Sequence, residues 1–385
     1  MSLSERLNLS AAAEPNRKLT LFQAFGLIAN PFPPAGQPAG HPHLEVTADE
    51  EVFRRIESFL NDQLSQVVVA EGEQGVGKTN LLAYYDKELR TLVASGSRGP
   101  YIVRYYSDPE PSFEGVLSRI FQELGEDYVR NLVDTLAVAE LRPRSELFSS
   151  IRNQDVNTAL RNLLSAQQTD HQTYSAAIGY FFEWVTGNRL LNRHRETLGV
   201  HYRIDTLESK TQVLRDLVEA GRRLGVLKGI FLLLDELEKQ DYTTSKTNVL
   251  RFLLAIRALI DALPQHLFLM VALTPTAKTR YFQMVPAVQS RMQNVVSLKP
   301  FKNWEEARPL VSFYVAKGRD RARFEFPDRA PGTDEVLSEG EARLAFDERL
   351  EHARRVGLEG VTPRDFLDRL HAKADSKISE RLSGR

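Results

Sequence analysis

Gln66-Val-Val-Val-Ala-Glu-Gly-Glu-Gln-Gly-Val-Gly-Lys-Thr79 is the stretch on which the fold turns. Val67 to Ala70 form a short apolar run that reads as a buried strand. A loop with three glycines follows, Gly72, Gly75 and Gly77, and Lys78 and Thr79 close it. Asn80 to Arg90 then continues with helical spacing. The order is G-x-x-x-x-G-K-[ST], with a strand before it and a helix after it. Glycines let successive backbone N–H groups curl around phosphate oxygens. A helix that opens at Lys78 turns its positive end toward the same anion. Lys78 can reach the β- and γ-phosphates, and Thr79 can set its hydroxyl on Mg²⁺. Gly72, Glu73, Gln74, Gly75, Val76, Gly77, Lys78, Thr79 and Asn80 are therefore the candidate nucleotide-binding residues.

A second stretch, Lys228-Gly-Ile-Phe-Leu-Leu-Leu-Asp-Glu-Leu-Glu-Lys239, supplies the acids. Ile230 to Leu234 read as a buried central strand. Asp235 and Glu236 stand at its C-terminal end, where open α/β sheets bind ligands. Asp235 is placed to hold Mg²⁺ and Glu236 to polarise an attacking water. Alone, an apolar run ending in Asp-Glu is a weak motif. Behind a phosphate loop it points to hydrolysis of ATP.

At 385 residues, with 42% hydrophobic and 26% charged residues, the chain can bury one large domain and a smaller one. It has no cysteine, which excludes disulfides, thiolate metal sites and cysteine nucleophiles. No apolar run approaches the ~20 residues of a membrane span, and the first residues lack an apolar signal core. A cytoplasmic protein without membrane contact is expected. Lys and Arg number 50 against 51 Asp and Glu, a net charge of −1. Any contact with DNA must then be local or shared among subunits.

Residues 1–20 read as a polar arm. Leu21 to Phe32 is an apolar lead-in followed by Pro33, Pro34, Gly36, Pro38 and Gly40; it either packs on the core or lines an adenine pocket with Phe25 to Phe32. Thr47 to Leu60 is an amphipathic helix with capping-box spacing at Thr47 and Glu50. Tyr101 to Tyr106 is a second strand. Helices are expected at 115–124, at 126–141 ended by Pro143, near 145–165, near 172–185, and over Thr206–Leu224. Trp184 reads as a core anchor. A helix over Lys246–Leu263 precedes the strand His266–Leu273, which ends at Thr274. A short helix carries Ala287–Met292, and Asn294–Leu298 is the last strand. Helices follow over Trp304–Lys317, Ser338–Arg355 and Thr362–Ala374, with Arg319 to Thr333 as loop. The domains expected are a lead-in over 1–45, an α/β core over 46–300 with a helical insertion at about 126–205, and a helical lid over 301–385.

This order of parts resembles the AAA+ P-loop ATPases, and among them the Orc/Cdc6-like branch. The resemblance implies that Thr274 is sensor 1, that Arg291 in Val-Gln-Ser-Arg-Met292 is the arginine finger, and that Arg364 in Thr-Pro-Arg364 is sensor 2 of the lid. Arg280 is the rival of Arg291. Sensor 1 is commonly Asn in that family, and the phosphate loop and acidic pair are usually closer in sequence. The intervening stretch carries a narrower resemblance. Phe182-Glu-Trp-Val-Thr-Gly187, Leu198-Gly-Val200 and Gly229-Ile-Phe-Leu-Leu-Leu-Asp-Glu-Leu-Glu238 look like the ATP-binding domain family of BREX-type phage-defence operons.

Together these imply a Mg²⁺-dependent ATPase that works as a homo-oligomer, as a DNA-associated motor or switch in phage defence, with partner proteins from a defence or mobile-element operon. The alternatives are a STAND-like signalling switch that binds a protein without DNA, and a transposition-type ATPase that assembles on DNA. Only residues 375–385 follow the last expected helix, so no winged-helix domain is expected after the lid. Basic clusters at Arg189, Arg193, His194 and Arg195, at Arg319, Arg321 and Arg323, and at Lys373, Lys377, Arg381 and Arg385 are the candidates for partner contact.

Overall fold

The computed structural model describes residues 21–34, 42–107, 112–239, 245–328 and 332–383. The polar arm and the Gly36–Gly40 part of the Pro/Gly loop lie outside them. In chain order the elements are α1 (Thr47–Asp62), β1 (Gln66–Glu71), α2 (Lys78–Ala94), β2 (Tyr101–Tyr106), then α3 (Phe113–Val138), α4 (Leu141–Ser150), α5 (Gln154–Gln167), α6 (His171–Thr186), α7 (Asn192–Leu198) and α8 (Leu207–Arg223). After these come β3 (Gly229–Leu234), α9 (Lys246–Ala262), β4 (Leu267–Leu273), α10 (Pro275–Met284), α11 (Pro286–Gln289), β5 (Asn294–Ser297), α12 (Trp304–Glu325), α13 (Glu339–Arg355) and α14 (Pro363–Ser383).

The expected α/β class, a parallel sheet with helices, is the one observed. A five-stranded sheet runs in the order β2-β3-β4-β1-β5, and every pairing in it is parallel. A long helical stretch separates β2 from β3, and a helical region follows β5. Parallel strands covered on both faces need near-continuous apolar sequence. The runs at Ile230–Leu234 and Leu267–Leu273 meet that need, and all of their residues are buried. Alternation along each strand then sorts side chains between two faces. Phe59 of α1 packs edge-on to Phe231, with ring centroids 5.1 Å apart, and tilts against Tyr101 and Phe268. Phe59 is fully buried, and truncating it to Ala would cost about 3–5 kcal/mol. Val69, Leu232 and Leu269 belong instead to the large cluster that includes α3, α8 and α9.

The described residues divide into two compact units. One holds residues 47–71 and 82–297; the other holds the residues before 47, residues 72–81 and those from 298 onward. In the second unit Phe25, Leu27 and Phe32 are buried with Trp304, Phe346 and Phe366. The apolar lead-in therefore packs on the C-terminal helices. Phe25 and Phe32 are each 1% exposed, which leaves neither ring face for a base to stack on.

Several helix boundaries differ from expectation. The helix expected to end at Pro143 ends at Val138, and Pro143 sits in the first turn of α4, where proline is tolerated. The single helix expected near 145–165 is two. Asn153 caps α5, and the buried Asp216 carboxylate accepts the Arg152 and Asn153 N–H groups at the break. Helix α7 was not foreseen. Residues 319–325 are helical rather than loop, because their charges pair along the helix: Arg321 with Glu325 at 2.9 Å and Arg323 with Asp320 at 3.6 Å. Helix α14 continues past Ala374 to Ser383.

The Trp-x-x-Gly pattern at 184–187 has a packing role. Trp184 is buried, and its Nε1–H donates to the Tyr202 carbonyl at 2.9 Å. Gly187 ends α6 with φ +90°, and a Cβ there would stand 2.9 Å from the Ile204 carbonyl oxygen.

Candidate nucleotide-binding residues

The phosphate loop leaves the C-terminal end of β1 and runs into α2, which begins at Lys78. The first four N–H groups of any helix have no intrahelical partner, so this end of α2 is rich in donors. Close approach explains Gly72: a Cβ there would meet Val76 Cγ2 at 2.6 Å and the Leu298 carbonyl oxygen at 2.7 Å. Gly75 has φ +87°, and a Cβ on it would lie 3.1 Å from Thr362 Oγ1. Lys78 is buried and curls back over the loop. Its Nζ donates to the Gly72 carbonyl at 2.7 Å and the Glu73 carbonyl at 3.2 Å. Both are neutral acceptors; a phosphate oxygen makes a stronger, charge-assisted bond with the same ammonium. Thr79 is half-buried, and the Asn80 amide lies 3.4 Å from His43 Nδ1.

Arg364 belongs to the same unit. Thr362 caps α14 by accepting the Asp365 N–H, and Pro363 follows at the first helical position. This sets Arg364 in the first turn, where its N–H donates to the Gly75 carbonyl at 3.3 Å and its side chain is exposed. The proposed sensor position and the phosphate loop are thus in backbone contact.

In the other unit, the C-terminal edge of the sheet gathers Glu71, Asp235 and Thr274. Register places Glu71 beside Leu273 and Leu234 beside Val271. Asp235 is 1% exposed. Its Oδ1 accepts the Glu236 N–H at 2.8 Å, and its Oδ2 accepts the Tyr105 hydroxyl at 3.2 Å. Burial and, next, the charge of Asp235 push the Tyr105 phenol well above its ordinary range. Glu236 holds φ +48°, and its carboxylate pairs with Lys239 one turn on. Thr274 Oγ1 caps α10 by accepting the Ala277 N–H at 3.3 Å. Its hydroxyl proton is still available to a ligand. Lys278, one turn further along α10, pairs with Glu71 at 2.6 Å.

Tyr105, Glu71 and Lys278 were not anticipated. Tyr105 could be found only by knowing that β2 pairs with β3, which the sequence does not state. The two arginine-finger candidates are both engaged within the chain. Arg291 makes a two-pronged pair with Asp261, 2.5 Å from Nε and 3.1 Å from the second nitrogen, and donates to the Ala287 carbonyl and Ser290 Oγ. Arg280 lies over the Tyr281 ring. A groove of about 900 Å³ lined by Phe282, Pro286, Met292 and Val295 also borders Lys278, and none of the sequence-derived candidates lines it.

No family model matches the chain, and no curated protein matches it. Among solved structures it is similar to the Aeropyrum pernix ORC2 protein, determined in ADPNP–ADP complexes. The identity is 14%, the match covers 87% of this chain and 69% of that one, and the TM-score is 0.40.

Mg²⁺ fits the donors present. It takes hard oxygen ligands, commonly one or two from protein and the rest from phosphate and water. Thr79 in one unit and Asp235 in the other each carry an oxygen of that kind. Among the described residues no group of three or more His, Asp or Glu gathers as an all-protein cage. No helix among them is long and apolar enough to cross a membrane.

Proposed function

We propose that this chain is an AAA+-type ATPase that hydrolyses ATP with Mg²⁺. The observation that carries the reading is Lys78: a buried ammonium folded onto the carbonyls of its own glycine loop, at the start of a helix that follows a buried parallel strand. In this reading the loop N–H groups and Lys78 bind the β- and γ-phosphates, and Lys78 exchanges the Gly72 and Glu73 carbonyls for phosphate oxygens. Thr79 and Asp235 would hold the metal, which when bound neutralises charge on the phosphates. Glu236 accepts the proton of the attacking water, and Thr274 donates its free hydroxyl proton toward the γ-phosphate. Arg364 stabilises charge from the lid side. Arg291 acts on the nucleotide of a neighbouring copy in a homo-oligomer. The test is Lys78→Ala, read by direct nucleotide binding. Loss of binding is expected; retained affinity overturns the reading.

The use to which ATP is put is proposed as a DNA-associated motor or switch, in phage defence, alongside partner proteins of the same operon. Support for DNA contact is local. Arg189, Arg193 and Arg195 are exposed around α7, while His194 is buried and stacked on Tyr180 at 3.7 Å. The cluster at 319–323 gives less support, since Arg321 and Arg323 pair with acids and Arg319 donates to the Phe25 and Asp334 carbonyls. DNA binding that weakens steeply with salt and is lost in an Arg189/Arg193/Arg195→Ala variant is expected. The defence setting rests on the sequence resemblance, and the identity of neighbouring genes tests it.

A further inference from the structure

We propose that Tyr105 is a positioning residue for Asp235, fixing the carboxylate that would take Mg²⁺. The inference rests on the ATPase reading and deepens it. It comes from strand register rather than from any motif. Tyr105 of β2 lies beside Leu233 of β3 and Tyr106 beside Leu234. The ladder continues one step further, with the Asp235 N–H donating to the Tyr106 carbonyl at 2.9 Å. The end of β2 therefore stands alongside the acidic end of β3.

Two of the groups that hold Asp235 are the Glu236 N–H, on Oδ1, and the Tyr105 hydroxyl, on Oδ2. The first belongs to the backbone and survives any side-chain exchange. The second is a side chain on another strand, and it pins the rotation of the carboxylate about its last bond. A carboxylate oxygen can accept more than one donor, so a hydrogen bond to it does not by itself exclude a metal ion. A buried carboxylate with one donor removed would swing between orientations and hold a metal less well. Such outer partners of a ligand are typically worth 10–100-fold in metal affinity or activity.

Tyr106 supplies an internal control. Its hydroxyl donates to the Val116 carbonyl of α3 at 2.9 Å, a purely architectural bond. Tyr105→Phe and Tyr106→Phe each remove one phenolic oxygen from the same strand. The experiment measures binding of a non-hydrolysable ATP analogue across a Mg²⁺ series in wild type, Tyr105→Phe, Tyr106→Phe, Asp235→Asn and the Tyr105→Phe/Asp235→Asn double variant, with thermal midpoints alongside.

Tyr105→Phe should leave affinity without Mg²⁺ unchanged and raise the half-effective Mg²⁺ concentration about tenfold. Tyr106→Phe should lower the thermal midpoint and leave the Mg²⁺ response alone. In the Asp235→Asn background, Tyr105→Phe should add nothing. If Asp235→Asn abolishes the Mg²⁺ response but Tyr105→Phe does not move it, the positioning role is overturned and the ATPase reading stands. If Tyr105→Phe weakens binding equally with and without Mg²⁺, or both phenylalanine variants shift the Mg²⁺ response alike, the phenol is packing only. If Asp235→Asn leaves the Mg²⁺ response intact, the metal assignment itself fails.

Discussion

Glu236 sits in the left-handed region, at φ +48°, which costs a residue with a Cβ about 1 kcal/mol or more. Strain of this kind persists where surrounding structure over-determines it, and it clusters at functional sites. The buried strand behind Glu236 and the Asp235 side chain on its N–H hold it there. Two substitutions separate strain from chemistry. Glu236→Gln keeps the strain and loses the proposed base; on that proposal nucleotide affinity should persist while turnover falls about 10²–10⁴-fold. Glu236→Gly relaxes the backbone and also loses the proposed base; it should be as slow, yet more stable to denaturant than the Gln variant by up to about 1 kcal/mol. Turnover at the wild-type rate in either variant removes Glu236 from the mechanism. Thr274 has a structural duty that its place at a strand end did not show: its hydroxyl caps α10. Thr274→Ala would cost about 0.5–2 kcal/mol by losing the cap, whereas Asn caps equally well. Thr274→Asn should therefore keep stability and turnover together.

At the scale of elements, α14 places a cation where its own dipole disfavours one. Arg364 occupies the first turn beside the phosphate loop, and positive charge near a helix N-terminus is unfavourable by about 0.3–1 kcal/mol. Arg364→Ala should raise stability slightly and reduce turnover. A loss of both would mark the residue as structural. The start of β4 gives a pH-dependent case. His266 is buried, its Nδ1 lies 3.0 Å from the Lys228 carbonyl, and burial lowers its pKa from 6.5. The unfolded chain then binds more protons than the folded one between the two pKa values, so stability declines as pH falls below about 6.5. His266→Gln should show a smaller decline over that window in paired denaturation curves. The strand, loop and helix around Gly72–Thr79, the buried strand that ends before Asp235 and the strand that ends before Thr274 were legible because each is a local pattern, an apolar run followed by polar residues. Strand order was not, because β2 and β3 pair across the whole α3–α8 stretch, and Tyr105 became visible only with that pairing. Residues 319–325 were misread for the opposite reason: dense mixed charge resembles a loop until its i,i+3 and i,i+4 pairing is counted.

For the whole molecule the open quantity is assembly, and Arg291 is the residue through which it would act. Its guanidinium is bound to Asp261, which Arg257 also approaches at 3.4 Å. Asp261 is 41% exposed and Arg291 28%, so the pair faces water and its net worth is about 1 kcal/mol or less. A phosphate group of a neighbouring copy carries more charge and can displace Asp261 at that scale. If Arg291 works across a head-to-tail contact, one copy supplies Asp235 and the next supplies Arg291. Arg291→Ala and Asp235→Asn chains should each be nearly inactive alone. An equal mixture forms contacts at random, and about one in four then joins an intact Asp235 to an intact Arg291, so roughly a quarter of wild-type turnover should return. Specific activity of the wild type should also rise with protein concentration until assembly saturates. Turnover independent of concentration, with no recovery on mixing, would place Arg291 with Asp261 as a tie between α9 and the turn after α11, and would make the ATPase complete within one chain.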